Sequence, residues 1–188
     1  PDRVDGIRVT LRRMVNLSRR AIRDEWFLTL VRDITKGLPP ADKMAEARTI
    51  FEWATSHIRY VKDPVGIELI IHPMRLVALG AGDCDDLSIF MASAFETIGI
   101  PARFVAIESR PGTGYNHVYP QGHINNQWVT FDLASPRPTV GVTIPSVSNP
   151  MIEYISTSSN GLSTDASSYT TPALIVIASI VALILLAR

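Results

Sequence analysis

The sequence predicts an α+β protein, and three observations carry that expectation. Helical periodicity runs through the first sixty residues, one strongly apolar helical run sits at Leu87 to Phe95, and three short strand-like segments follow it. A buried central helix followed by an antiparallel meander packs as helix on sheet. At 188 residues the chain is long enough for one sizeable core with appendages.

Ile7 to Ile34 place Ile7, Leu11, Met14, Val15, Leu17, Ala21, Ile22, Trp26, Leu30 and Ile34 mostly three or four residues apart, as one amphipathic helix or a pair would. Between them runs an arginine stripe: Arg8, Arg12, Arg13, Arg19, Arg20 and Arg23. Such a stripe suits anionic lipid or nucleic acid, but it is read here as the solvated face of a packed helix, the commoner case. Gly37-Leu38-Pro39-Pro40 ends the helix. A second helix is expected over Asp42 to Ile58, with Met44, Ala47, Ile50, Phe51, Ala54 and Ile58 on one face and Asp42 as cap. Arg59 to Pro73 is less regular and is expected to cross the surface. The central helix should open near Asp83 and close at Gly99-Ile100-Pro101. Strands are expected at Ala102 to Ile107, Asn116 to Gln121 and Gln127 to Leu133, separated by turns such as Pro111-Gly112-Thr113-Gly114 and Asn125-Asn126.

Beyond Ser135 the character changes. Pro136, Pro138, Pro145 and Pro150 space out a segment poor in core residues, and Ser and Thr dominate Ser156 to Thr171. This reads as an extended linker. Ala173 to Ala187 is then apolar throughout except for Ser179, and ends in Arg188. A helix there would span roughly 22–24 Å, enough for a membrane anchor with local thinning. The expected organisation is a basic amphipathic extension over 1–40, a catalytic domain over 41–137, a linker over 138–171 and an anchoring helix over 172–188. Pro1 to Arg13 is broken by charges and lacks an apolar core segment, so no secretory leader is expected there.

Eighteen Lys+Arg balance eighteen Asp+Glu, so no whole-molecule field argues for nucleic acid or an acidic substrate. No phosphate-cradling glycine loop or nucleic-acid motif is present, and no nucleic-acid partner or cofactor is expected. The single cysteine excludes an internal disulfide and a multi-cysteine zinc site. It is either a buried small hydrophobe or a reactive thiol. Gly80-Ala81-Gly82-Asp83-Cys84-Asp85-Asp86 puts it at a helix start, where the dipole favours a thiolate, the glycines allow close approach and the Cys84 amide can meet an oxyanion. Asp83, Asp85 and Asp86 suit the first turn but oppose thiolate formation, so a cationic partner is required. A metal site built from these three aspartates lacks the longer ligand loop of calcium sites and an adjacent histidine, and no metal is expected.

Four histidines are available. His57 lies in a helix, His72 precedes Pro73, and His123 sits beside Gly122 in an expected turn. His117 opens a strand, and Asp132 lies near the end of the next. Adjacent antiparallel strands would bring those two together as a base and its orienting carboxylate.

The order and surroundings of these residues resemble the transglutaminase-like superfamily of bacterial and phage proteins. The resemblance covers about Ala47 to Pro136. It rests on Ile50-Phe51-Glu52-Trp53-Ala54 with Ile58-Arg59-Tyr60, on Gly82-Asp83-Cys84-Asp85-Asp86, on Gly99-Ile100-Pro101-Ala102-Arg103, on His117, and on Trp128-Val129-Thr130-Phe131-Asp132 leading into Leu133-Ala134-Ser135-Pro136. It implies a papain-like α+β core with a Cys84, His117 and Asp132 triad acting through an acyl-enzyme on a peptide or isopeptide bond. Acyl transfer is also known in the superfamily, and some members only bind. The expected function is a membrane-tethered thiol hydrolase in a bacterial envelope or phage virion. The alternative is a structural component of such an assembly with a silent site. Val118-Tyr119-Pro120 departs from the family pattern after the histidine, and Pro120 suggests an edge strand or bulge. The side-chain oxyanion donor stays open between Tyr60 and Trp53. Pro64 to Leu79 and Arg110 to Tyr115 are expected to line the specificity pocket.

Overall fold

The computed structural model describes residues 3–39, 42–64 and 69–155. The expected tail helix at 172–188 and the linker beyond residue 155 lie outside the described residues. Among those described, no helix is long and apolar enough to cross a membrane.

The first periodic stretch is two helices, α1 (Arg3–Ala21) and α2 (Glu25–Ile34). The break comes where the Asp24 carboxylate accepts the amides of Trp26 and Phe27 and so caps α2. Helix α3 (Lys43–His57) is capped by Asp42, which accepts the Ala45 amide at 3.0 Å. After it, β1 (Arg59–Tyr60) pairs in parallel with β2 (Ala81–Gly82), Tyr60 opposite Gly82. Between them lies α4 (Pro73–Leu79), an element the sequence reading did not anticipate. Pro73 supplies its first turn, His72 caps it, and Gly80 ends it with φ +62°. Helix α5 (Cys84–Thr97) follows, buried without a break from Asp85 to Phe95.

The main sheet contains β3 (Ala102–Ile107), β4 (His117–Ile124), β5 (Gln127–Thr130) and β6 (Met151–Tyr154) in the order β5-β4-β3-β6, all antiparallel. Ala102, Phe104 and Ala106 face the helices, while Val105, Ile107 and Tyr119 form a smaller cluster on the outer face. Phe90 meets Phe27 edge-on at 5.8 Å, and Phe95 meets Phe131 at 4.6 Å, so the faces of α5 are filled by α2 and by the chain leaving β5.

Three expectations are corrected. Residues 138–155 are not a linker: β6 pairs with β3, Ile155 is buried, and the Gly141 and Val147 amides bond to the Thr130 and Glu108 carbonyls. The strand is only four residues long and sits among prolines, so composition concealed it. The basic segment at 1–40 is not an appendage, because Leu11, Met14, Val15, Phe27 and Val31 belong to the one core. Strand β4 is an interior strand despite Pro120. The Pro120 carbonyl accepts the Phe131 amide on the β5 side, and in an antiparallel ladder a residue's nitrogen faces the same way as its carbonyl. The missing N–H therefore points past the end of β5 at Thr130, and no bond to β3 is lost.

Candidate active site

Cys84 is the first residue of α5. Its position follows from the cap before it: Asp83 Oδ1 accepts the amides of Asp85 at 2.9 Å and Asp86 at 3.3 Å, and Asp86 Oδ2 reaches back to the Asp83 amide. The cap does not take the Cys84 amide. Gly82 is required for packing rather than for approach of a ligand, since a Cβ there would lie 2.5 Å from Leu76 Cδ1 and 2.9 Å from Asp86 Cβ.

One turn after Cys84, on the same helix face, the Ser88 hydroxyl donates to the Val118 carbonyl at 3.2 Å. That bond sets the start of α5 against the start of β4. The Val118 amide lies close enough to the Cys84 sulfur to lower the pKa of the thiol. His117, first residue of β4, lines the same cleft as Cys84.

His117 Nε2 lies 2.8 Å from Asp132 Oδ2, and the other oxygen of Asp132 accepts the Ala134 amide at 2.9 Å. The carboxylate is nearly inaccessible, with 4 % of its side chain exposed against 13 % for His117. A buried acceptor held by two donors fixes the ring on one side and leaves Nδ1 for the cleft.

The electrostatics oppose a free thiolate. Burial pushes the Cys84 thiol well above its ordinary range, the Asp85 and Asp83 carboxylates add to that, and only the Val118 amide works the other way. Asp85 Oδ1 is 3.7 Å from the sulfur. One ligand atom each from Asp83, Cys84 and Asp85 falls within 4.8 Å of the others, the one such grouping among the described residues. Asp86, grouped with Asp83 and Asp85 from sequence, turns instead to the amides of Ile71 and Asp83.

The cleft has a volume of about 560 Å³. Tyr60 lines it and Trp53 does not: Trp53 stacks between His57 at 4.4 Å and Phe90 at 5.7 Å. Burial raises the Tyr60 hydroxyl above its ordinary pKa, and the charges of Cys84, Asp83, Asp132 and Asp85 raise it further. Pro64 and Tyr115 contribute from the two loops expected to line the pocket. Ile7 and Thr10 of α1 form a wall that the sequence reading missed. Their i, i+3 spacing was visible, but nothing in a helical pattern says which neighbour a face meets.

A family model described as the transglutaminase-like superfamily matches residues 29–133. Similar solved structures include a candidate protease from Parabacteroides distasonis ATCC 8503, at TM-score 0.49 and 9% identity over 72% of this chain and 30% of that one. A candidate cysteine protease from Cytophaga hutchinsonii follows at TM-score 0.48 and 12% identity, covering 75% of this chain and 55% of that one. Legionella pneumophila LapG is similar at TM-score 0.47 and 15% identity, covering 68% and 76%. The chain thus spans less than a third of the first protein and just over half of the second. Comparison with curated proteins finds no match.

Proposed function

Because the chain belongs to the transglutaminase-like superfamily, whose model matches residues 29–133, we propose that it is a thiol hydrolase of the cysteine-peptidase or amidase type. Cys84 is the nucleophile, His117 the base and Asp132 the residue that orients it. The observation that carries this reading is the His117 Nε2 to Asp132 Oδ2 bond of 2.8 Å in a ring that shares a cleft with the thiol.

The raised thiol defines the first step. Cys84 holds its proton until His117 takes it, and the sulfur then attacks a carbonyl carbon of a peptide or isopeptide bond. Charge develops on the carbonyl oxygen, where the Cys84 amide and the Tyr60 hydroxyl donate. The imidazolium protonates the leaving amine as the C–N bond breaks, and a thioester remains. Water, deprotonated by His117, attacks that thioester and releases the acid and the thiol. An amine in place of water would give acyl transfer by the same route. The apolar sequence of 173–187 supports tethering to a membrane, in a bacterial envelope or a phage virion.

A second reading, a binding component of such an assembly with a silent site, is favoured by one observation: burial and two carboxylates hold the thiol protonated. Alkylation of Cys84 by iodoacetamide between about pH 5 and 7, below the free-thiol pKa, separates the two. The hydrolase reading expects the wild type to react at least tenfold faster than His117→Ala. Equal, slow labelling of both proteins would overturn it.

A further inference from the structure

The hydrolase reading leaves the arginines of α1 unused. At 3.6 residues per turn, Arg8, Arg12, Arg13 and Arg20 fall within one arc of about 140°, and all four are exposed. Leu11, Met14, Val15, Ser18 and Ala21 occupy the opposite side and are buried. Arg19, within the same arc, is committed to the fold through the Ile155 carbonyl at 2.9 Å.

The other four guanidiniums have no carboxylate partner among the described residues, where the ion pairs are Lys43 with Glu46 and His117 with Asp132. Asp5 is the one acidic side chain of α1. A chain with eighteen cationic and eighteen anionic side chains therefore concentrates uncompensated positive charge on one helix face. Arg13 and Arg20 also edge a groove of about 450 Å³ whose apolar wall is Leu17, Leu69 and Ile70, with Leu69 51 % exposed.

We propose that this face of α1 docks the protein on an anionic lipid bilayer. Phosphate headgroups supply the counter-charge for the four guanidiniums, and Leu17, Leu69 and Ile70 in the groove beside Arg13 and Arg20 add apolar contact next to them. A nucleic acid would use the cations, but the groove offers no aromatic ring for a base to stack on. The apolar sequence of 173–187 is a second membrane-directed feature, and stable attachment of a peripheral protein commonly needs two.

The test is flotation of the full chain with vesicles of phosphatidylcholine alone and of phosphatidylcholine with phosphatidylglycerol. The tail, with Arg188 at its end, is the same in wild type and variants, so loss of phosphatidylglycerol dependence in the variants isolates the arginines of α1. The wild type should partition more strongly as phosphatidylglycerol is added. The R8Q/R12Q/R13Q/R20Q variant should lose several hundredfold of that partition, and R13Q/R20Q about thirtyfold. Thermal melting checks that each variant is folded, and the substituted side chains are all exposed. Equal partition into both lipids, an unchanged phosphatidylglycerol dependence in the quadruple variant, or retention of duplex DNA without vesicle binding would each overturn the proposal.

Discussion

His117 and Asp132 meet diagonally across the end of the β4–β5 ladder. The ladder pairs Gln121 with Thr130, and its register continued two residues past the end of β5 would set Asp132 opposite Tyr119, so the carboxylate reaches the side chain two residues further along the same face. At 2.8 Å from Nε2 it holds both the tautomer and the tilt of the ring. Replacing Asp132 by Asn keeps the shape and removes the charge that stabilises the imidazolium. Acylation of Cys84 by p-nitrophenyl acetate should then fall by at least about a hundredfold with the fold intact. A variant that acylates at the wild-type rate would remove Asp132 from the chemistry.

Tyr60 can be separated from the thiol by the choice of reagent. Alkylation by iodoacetamide displaces iodide and develops no oxyanion, whereas attack on an amide or ester does. Tyr60→Phe should therefore leave the alkylation rate unchanged and lower the acylation rate by about a hundredfold, the usual cost of one oxyanion donor. Loss of both rates would show that the phenol acts on the sulfur, and loss of neither would leave it without a role. Because its pKa is raised, the hydroxyl keeps its proton across the whole neutral range.

Asp86 makes stability depend on pH. Burial outweighs the Ile71 amide bond and lifts its carboxyl to about 6, above the ordinary aspartate value of about 4. The folded state then holds this proton more tightly than the unfolded chain does. Its contribution to stability is complete below about pH 4 and is lost as pH rises through about 6. The wild type should gain on the order of 2 kcal/mol on going from pH 7 to 4 relative to Asp86→Asn. Denaturant midpoints across that range measure the difference, and parallel pH profiles for the two proteins would refute it.

The elements that sequence conveyed well are those with a local physical signature. Helix α3 carries its Asp42 cap and its apolar stripe in adjacent residues, and β3 coincides with the expected Ala102 to Ile107. The turn at Asn125 and Asn126, both with positive φ, is written in the residue type. Helix α4 went unread because its seven residues are too few to show a period.

The residues of the candidate site were legible for similar reasons. A lone cysteine behind a capping aspartate, and a histidine opening one strand with an aspartate just past the end of the next, are patterns of near neighbours. Sequence by itself determined the helix start at Cys84 and the antiparallel succession that carries His117 and leads into Asp132, although β5 ends at Thr130 rather than at the expected Leu133. Only the tertiary structure decided what surrounds them: the wall from Ile7 and Thr10, Tyr60 rather than Trp53 at the cleft, β6 beside β3, and the carboxylates and burial that keep the thiol protonated. Those contacts join residues far apart in the chain. Capping and alternation act over a few residues, whereas burial and electrostatic fields depend on distance in space, which sequence spacing does not encode.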